Sequence, residues 1–291
     1  MNYIFIKHYL VALRVHHWLK NILVFSPLFL AHQFNYNSIK EATIAFLSFC
    51  AVASLIYIIN DIRDIKFDKL HLTKSLRPIT SGKISQLSVV FLIFMLIVIA
   101  FFLSLNLNTA FAQILFVYFC LALIYTYLLK KIAYLDLVIL TTFYIIRILA
   151  GGIAIDTVVT TWLIVFSFFI FLSLALIKRI TEIQKYTDND LTHMGKSYTK
   201  KDLKTLYTLT KISQVTALSI LTLYIFIAAT DLYSNNLYLI ISVIIFYLWF
   251  DRLLSATKKN DMKDDPIIYA IYDPMSYFSF LSIVFIFILA I

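Results

Sequence analysis

Asn60, Asp61, Asp64 and Asp68 stand in the run Tyr57-Ile-Ile-Asn60-Asp61-Ile-Arg-Asp64-Ile-Lys-Phe-Asp68. Asn60, Asp64 and Asp68 are spaced i, i+4, i+8. Asp61 precedes Asp64 by three positions and Asp68 by seven. On a helix all four side chains share one face. Three carboxylates on one face repel one another and need a counter-charge. Hard oxygen ligands suit Mg2+, and Mg2+ suits a diphosphate, because it keeps few protein ligands and takes the rest from phosphate oxygens and water. Six cationic residues lie from Arg63 to Lys83. Among them Lys74 offers phosphate a point charge and Arg77 a bidentate fork. A solvated, salt-bridged helix end would use the same residue types. Three acidic residues at this spacing beside an apolar block are, however, costly without a use.

The elements that position these residues are membrane helices. The chain has 291 residues, of which 62% are hydrophobic and 14% charged. No globular core could hide that much apolar surface, which excludes a soluble enzyme, a disordered protein and a secreted disulfide scaffold. The long unbroken apolar blocks also disfavour a membrane β-barrel, whose strands would alternate. At about 20 residues per crossing, nine spans are predicted, near 18–36, 41–60, 87–105, 109–129, 134–152, 159–177, 211–230, 236–250 and 274–291. The first is the weakest, since Lys20, Asn21 and His32 fall in it. With nine spans, 23 of the 25 Lys and Arg residues gather on one side; Lys40 falls opposite and Arg147 within a span. The positive-inside rule then puts the N-terminus and every basic cluster in the cytoplasm and the C-terminus outside. The formal charge of +9 reads as this topology signal plus attraction to anionic lipid, not as nucleic-acid binding. The fold class expected is an all-α membrane bundle of nine helices with its active site open to the cytoplasmic face. Long cytoplasmic loops after spans 2 and 6 hint at a pseudo-repeat.

Arg147 is the one basic residue deep in a span, and such charges are functional by default, unless a buried carboxylate or carbonyls hold it. Lys178 and Arg179 open the loop after span 6. They could hold phosphate, or anchor the topology with Lys178 and Glu182 paired at i, i+4. Cys50 and Cys120 lie in apolar blocks and read as buried thiols. His8, His32 and His193 are isolated, so zinc is not expected. Gly151 and Gly152 read as positions for helix packing or a helix break, not as ligands. Lys7, Arg14 and Lys20 are too spread among apolar residues for a cleaved signal peptide.

The run at Asn60–Asp68 resembles the NDxxDxxxD signature of the UbiA-type superfamily of intramembrane transferases, as does a nine-helix plan with this motif after the second helix. The DxxxD motif that its prenyltransferases usually carry after span 6 is missing: the loop begins Leu176-Ile-Lys178-Arg179-Ile-Thr-Glu182, with Asp188 and Asp190 later. The resemblance therefore does not carry over the second Mg2+ site of that kind. Other segments resemble the decaprenyl-phosphate phosphoribosyltransferase branch. Arg14-Val-His-His-Trp18-Leu-Lys20-Asn21 is similar to its RPxQWxKN, and Tyr144-Ile-Ile-Arg147-Ile-Leu-Ala-Gly151-Gly152 to its YLIRAIAGG. Lys178-Arg179 with Glu182 is similar to its KRxxE, and Asp264-Asp265-Pro266 with Asp273 to its final loop. His16 and His17 depart from that pattern, as does Leu72 after His71.

The resemblance implies a single domain over residues 1–291 in a bacterial cytoplasmic (inner) membrane, serving cell-envelope biosynthesis. It implies transfer of a 5-phosphoribosyl group from phosphoribosyl diphosphate to a polyprenyl phosphate. Asn60, Asp61, Asp64 and Asp68 would serve the Mg2+–diphosphate. Lys20, Tyr57, Lys74 and Arg77 would contact the donor. Lys130 and Arg147 would meet the phosphates, including the lipid's, with Lys178, Arg179 and Glu182 as further phosphate-site candidates. The competing expectations are a UbiA-type prenyltransferase with an aromatic acceptor and, less in keeping with charges gathered at one face, a transporter.

Overall fold

The structure, a computed structural model, describes residues 2–69, 74–185, 198–229, 233, 235, 237–262 and 265–290. The described residues contain helices and no strand. The α-helices are α1 (Asn2–Ala12), α2 (Ser26–Leu30), α3 (Tyr36–Asp68), α4 (Gln86–Leu105), α5 (Thr109–Tyr127), α6 (Leu135–Ala154), α7 (Thr161–Lys185), α8 (Leu203–Ile227), α9 (Leu237–Lys258), α10 (Pro266–Tyr272) and α11 (Pro274–Ala290). Seven of them, α3 to α9, are long and apolar enough to cross a membrane; α10 and α11, bent by 87° at their junction, make an eighth if the pair is one span. The expected span at 18–36 is not among them. It is built of a 3₁₀ helix, Val15–Phe25, followed by the five-residue α2. The expected span 274–291 is the second limb of the bent pair.

Two compact units divide the chain: residues 1–128 with 146–159, and residues 129–145 with 160–291. In the first unit α3 is the central helix. It packs against α4, α5, the 3₁₀ helix, α1 and α2, and 67% of its apolar stretch is buried, against 28% in α4 and α5. Ser85 caps α4 and Asn108 caps α5, each accepting from a backbone N–H three residues on, which satisfies donors a helix start leaves open. Asn108 also donates to the Ile153 carbonyl at 2.8 Å. In the second unit α7 and α8 pack together, α9 packs on α8, α7 and α11, and α10 on α7 and α11.

The stretch from Arg14 to Leu28 runs antiparallel along α3. Arg14 bonds Asp61, Trp18 donates to Ser54 at 3.0 Å, Asn21 donates to Cys50 Sγ at 3.3 Å, Phe25 meets Phe46, and Leu28 clusters with Ala42. From Ala42 to Asp61, α3 rises about 28 Å at 1.5 Å per residue. The 3₁₀ helix, rising about 2 Å per residue, and α2 cover that height in fewer residues than an α-helix needs. Gly151 lets α6 touch this stretch, since a Cβ there would fall on the Val24 carbonyl oxygen. A Cβ at Gly152 would lie 2.7 Å from the Thr157 carbonyl oxygen. Both glycines are therefore packing positions, one of the two readings their sequence context allowed.

Candidate functional site

The α-helix α3 does not stop at its apolar block but continues to Asp68. Asn60, Asp61, Asp64 and Asp68 therefore lie on one continuous helix, with Tyr57 a turn earlier. Further along the chain, the 3₁₀ turn Lys74–Leu76 brings Arg77 back to this face. Arg77 Nη1 donates to Asp68 Oδ2 at 2.5 Å and to Asp61 Oδ1 at 3.1 Å. A second guanidinium arrives from Arg14, whose Nη2 donates to the same Asp61 Oδ1 at 2.5 Å. Arg14 lies over the Tyr57 ring, 4.6 Å from its centroid, and His17 stacks on that ring at 5.1 Å. Asp61 and Asp68 are both buried, at 2% and 4% exposure, so their charges need these partners.

Asn60 and Asp64 are different. Asn60 Oδ1 is buried and has no hydrogen-bond partner. Asp64, half-buried, forms no ion pair or hydrogen bond among the described residues. Among those residues, no three His, Cys, Asp or Glu side chains converge to hold an ion by themselves. Mg2+ does not require that, because one or two carboxylates with phosphate and water complete its shell. The donor set here, all hard oxygens, with an orphaned amide oxygen next to two carboxylates, fits Mg2+. Half-buried Lys74 forms no bond among the described residues. Half-buried Lys20 sits in the 3₁₀ helix. Arg63 serves the packing of α3 on α5, donating to the Thr126 carbonyl at 2.5 Å and lying over Tyr127.

Arg147 belongs to a separate buried cluster of the first unit. Its Nε donates to Asn21 Oδ1 at 2.8 Å, its Nη2 to the Tyr118 hydroxyl at 2.7 Å, and it lies 4.9 Å from the Tyr118 centroid. Arg147 is 6% exposed and Asn21 fully buried. The sequence implied a carboxylate or carbonyls as its holders; the Asn21 amide oxygen and the Tyr118 hydroxyl are among the groups that hold it.

In the second unit Arg179 is 3% exposed. It joins two carboxylates, Asp136 on α6 and Glu182 one turn on, and faces the Tyr198 ring at 5.0 Å. Tyr198 donates to Asp136 Oδ1 at 2.5 Å and accepts from the Tyr134 N–H at 2.6 Å. Burial, and next the bond to Asp136, push the Tyr198 phenol well above its ordinary range, so it stays a donor. Glu182 thus pairs with Arg179 at i, i+3, not with Lys178. Lys178 lies 3.8 Å from Asp265, which caps α10 through the Ile267 N–H at 3.0 Å. Arg252 pairs with Asp273, which caps α11 through Ser276 N–H at 2.9 Å. Half-buried Lys130 lies in the 3₁₀ turn Leu129–Lys131 before α6. His71, Leu72, Asp188, Asp190, His193 and Asp264 lie outside the described residues.

Arg14, Asn21, Asp136 and Tyr198 are site residues that the sequence alone did not mark. Asp136 had a visible signal, a carboxylate at the start of an apolar block. Arg14 had none at the level of spacing, because only the antiparallel run along α3 brings it to Asp61.

The chain is similar to several known proteins. It is 32% identical over 277 residues to the uncharacterized protein y4nM of Sinorhizobium fredii, a match taking in 94% of this chain but only 54% of that protein, so this chain spans about half its length. It is 33% identical over 211 residues to the decaprenyl-phosphate phosphoribosyltransferase of Mycolicibacterium smegmatis, covering 70% of this chain and 66% of that one. Its fold matches that of a UbiA homolog from Archaeoglobus fulgidus bound to DMAPP and Mg2+, with a TM-score of 0.72 at 13% identity over 97% of this chain and 99% of that one. The UbiA prenyltransferase family matches residues 22–269, from the 3₁₀ helix to α10 and across the whole acidic face. This chain therefore belongs to the UbiA prenyltransferase family.

Proposed function

We infer that this protein transfers a 5-phosphoribosyl group from phosphoribosyl diphosphate to a polyprenyl phosphate, with Mg2+ as cofactor. The likeness to a decaprenyl-phosphate phosphoribosyltransferase carries this reading. The acidic face of α3 with its guanidinium partners supports it chemically. The bond broken joins the anomeric carbon of the ribose to the diphosphate, which leaves with the bonding electrons. The bond formed joins that carbon to an oxygen of the lipid phosphate. That oxygen is already anionic, so the reaction needs no strong general base. Asn60, Asp61, Asp64 and Asp68 would hold Mg2+, which supplies charge neutralisation to the departing diphosphate. Lys74 and Arg77 take phosphate oxygens, Tyr57 and Lys20 hold the donor, and Lys130 receives the acceptor phosphate. Arg147 contributes through Asn21, the residue next to Lys20, by fixing the 3₁₀ helix. Lys178 is a further phosphate cation: Arg179 takes up Glu182, and the contact of Lys178 with Asp265 is long, at 3.8 Å.

The same reading puts the acidic face and all basic clusters on the cytoplasmic side of a bacterial inner membrane. It counts the stretch Arg14–Leu28 as a crossing, with the bent pair as the ninth. Membranes carrying the protein, given labelled phosphoribosyl diphosphate, a panel of polyprenyl phosphates and Mg2+, are expected to form labelled lipid, and EDTA to stop it. The family's characteristic chemistry, prenyl transfer, is the second reading. Absence of labelled lipid, together with prenylation of an aromatic acid from a polyprenyl diphosphate, would replace the first reading with the second.

A further inference from the structure

Arg14 starts the 3₁₀ helix in the left-handed region, at φ 50° and ψ 49°. Non-glycine residues populate that region sparsely and persist there only where the surroundings hold them. Three contacts hold this one. Its Nη2 donates to Asp61 Oδ1 at 2.5 Å, its guanidinium lies on Tyr57, and the buried Ser54 hydroxyl donates to the preceding carbonyl of Leu13 at 2.9 Å. The grip on Asp61 is by a single nitrogen, although a guanidinium has five donors in a fork made for carboxylate or phosphate. The side chain is 19% exposed, while that of Asp61 is 3% exposed. Asp61 Oδ1 accepts Arg77 as well. The acidic face is thus already neutralised where a cation would be needed most, and its neutralising groups are the ones best suited to bind phosphate.

We propose that Arg14 is an exchangeable diphosphate ligand: it holds Asp61 while no divalent cation is bound, and passes to the diphosphate oxygens when a magnesium-bound diphosphate takes Asp61. The proposal rests on the reading of the α3 face as a magnesium–diphosphate site. An arginine cannot give up its proton at any working pH. It therefore competes with a divalent cation for Asp61 as a full charge, and yields only by moving. Once moved, its fork matches phosphate geometry. The consequence has a sign that a merely structural arginine would not produce. Removing the charge should strengthen binding of the bare cation and weaken binding of the cation–diphosphate pair.

The test uses the purified full chain in detergent, titrated with Mn2+ alone and with Mn2+ plus inorganic diphosphate, free Mn2+ being read by electron paramagnetic resonance. Arg14→Gln is expected to bind Mn2+ alone about fivefold more tightly, the size of one partly screened charge contact. It is expected to bind Mn2+–diphosphate about tenfold more weakly, for loss of a charge-assisted fork. Arg14→Lys keeps the charge without the fork, so its Mn2+ affinity stays within about twofold of the parent while its diphosphate affinity falls about threefold. Arg14→Lys also carries the test if Arg14→Gln does not fold. For Arg14→Gln, affinities that move in the same direction or do not move overturn the proposal while leaving the site in place; for Arg14→Lys, an unchanged diphosphate affinity or a Mn2+ affinity shifted by more than about twofold does the same. If the parent protein shows no saturable Mn2+ binding, or if Asp64→Asn binds Mn2+ as the parent does, the magnesium reading of α3 falls and the proposal with it.

Discussion

Among single residues, the charges sort by whether the folded chain already uses them. Asp64 carries a carboxylate with no partner among the described residues, on the face where Asp61 and Asp68 are both engaged by arginine. Asp64→Asn is expected to lower Mg2+-dependent turnover at least about a hundredfold, since a metal contributes several kcal/mol to such a step. Its thermal unfolding in detergent should move by no more than about 0.5 kcal/mol. Arg179 is the opposite case. Arg179→Gln would leave Asp136, which is fully buried, without its countercharge. A loss of about 3 kcal/mol of stability is expected, measured by thermal unfolding. Tyr198→Phe should cost about 1 to 2 kcal/mol, because it removes one hydroxyl from Asp136 and one acceptor from the Tyr134 N–H. The acidic face was legible in the sequence because its spacing is local and helical. The partners of Arg147 and Arg179 were not, because Asn21 lies 126 residues from Arg147 and Asp136 lies 43 from Arg179. A lone cation in an apolar block shows that a partner is needed, but not which one.

Among elements, the long α-helices were legible and the 3₁₀ helix was not. Apolar blocks of about 20 residues mark α-helical crossings. Over the eleven residues Val15–Phe25, a pattern interrupted by Lys20 and Asn21 does not separate three residues per turn from 3.6. The type matters, since the longer rise per residue carries Arg14 along α3 to Asp61. Helix α3 also outruns its apolar block, reaching Asp68 where the expected span ended at 60, because its polar i, i+4 face continues a helix that hydropathy no longer marks. The close approach of α6 to the 3₁₀ helix depends on Gly151, whose added Cβ would meet the Val24 backbone rather than a movable side chain. Gly151→Ala is therefore expected to cost about 2 kcal/mol in thermal unfolding, as overpacking against backbone does. Asn108→Ala, which removes the α5 cap at 2.8 Å, should cost about 1 kcal/mol. If Gly151→Ala is the milder of the two, the contact with Val24 is slack.

For the whole molecule, the decisive quantity is the number of crossings, because it sets which side each charge faces. If each of α3 to α9 crosses, the basic clusters that follow α3, α5, α7 and α9 fall on one side. These crossings leave the side of Lys7, Arg14 and Lys20 open. If the stretch Arg14–Leu28 did not cross, these three would face away from the other clusters, against the positive-inside rule. The contact ladder argues for crossing: Arg14 stands level with Asp61 and Leu28 with Ala42, a separation of about 28 Å along α3, close to the roughly 30 Å of a bilayer core. A 3₁₀ crossing also accounts for the weak hydropathy there, since fewer apolar residues are needed per ångström. Single cysteines at exposed positions decide it, in right-side-out vesicles treated with a membrane-impermeant maleimide. Lys40→Cys is expected to react in sealed vesicles. Lys7→Cys, Lys83→Cys and Lys201→Cys should react only after permeabilisation. Reaction of Lys7→Cys in sealed vesicles alongside Lys40→Cys would mean that the 3₁₀ stretch turns back. Arg14 and the α3 acidic face would then need a shared environment other than the cytoplasm.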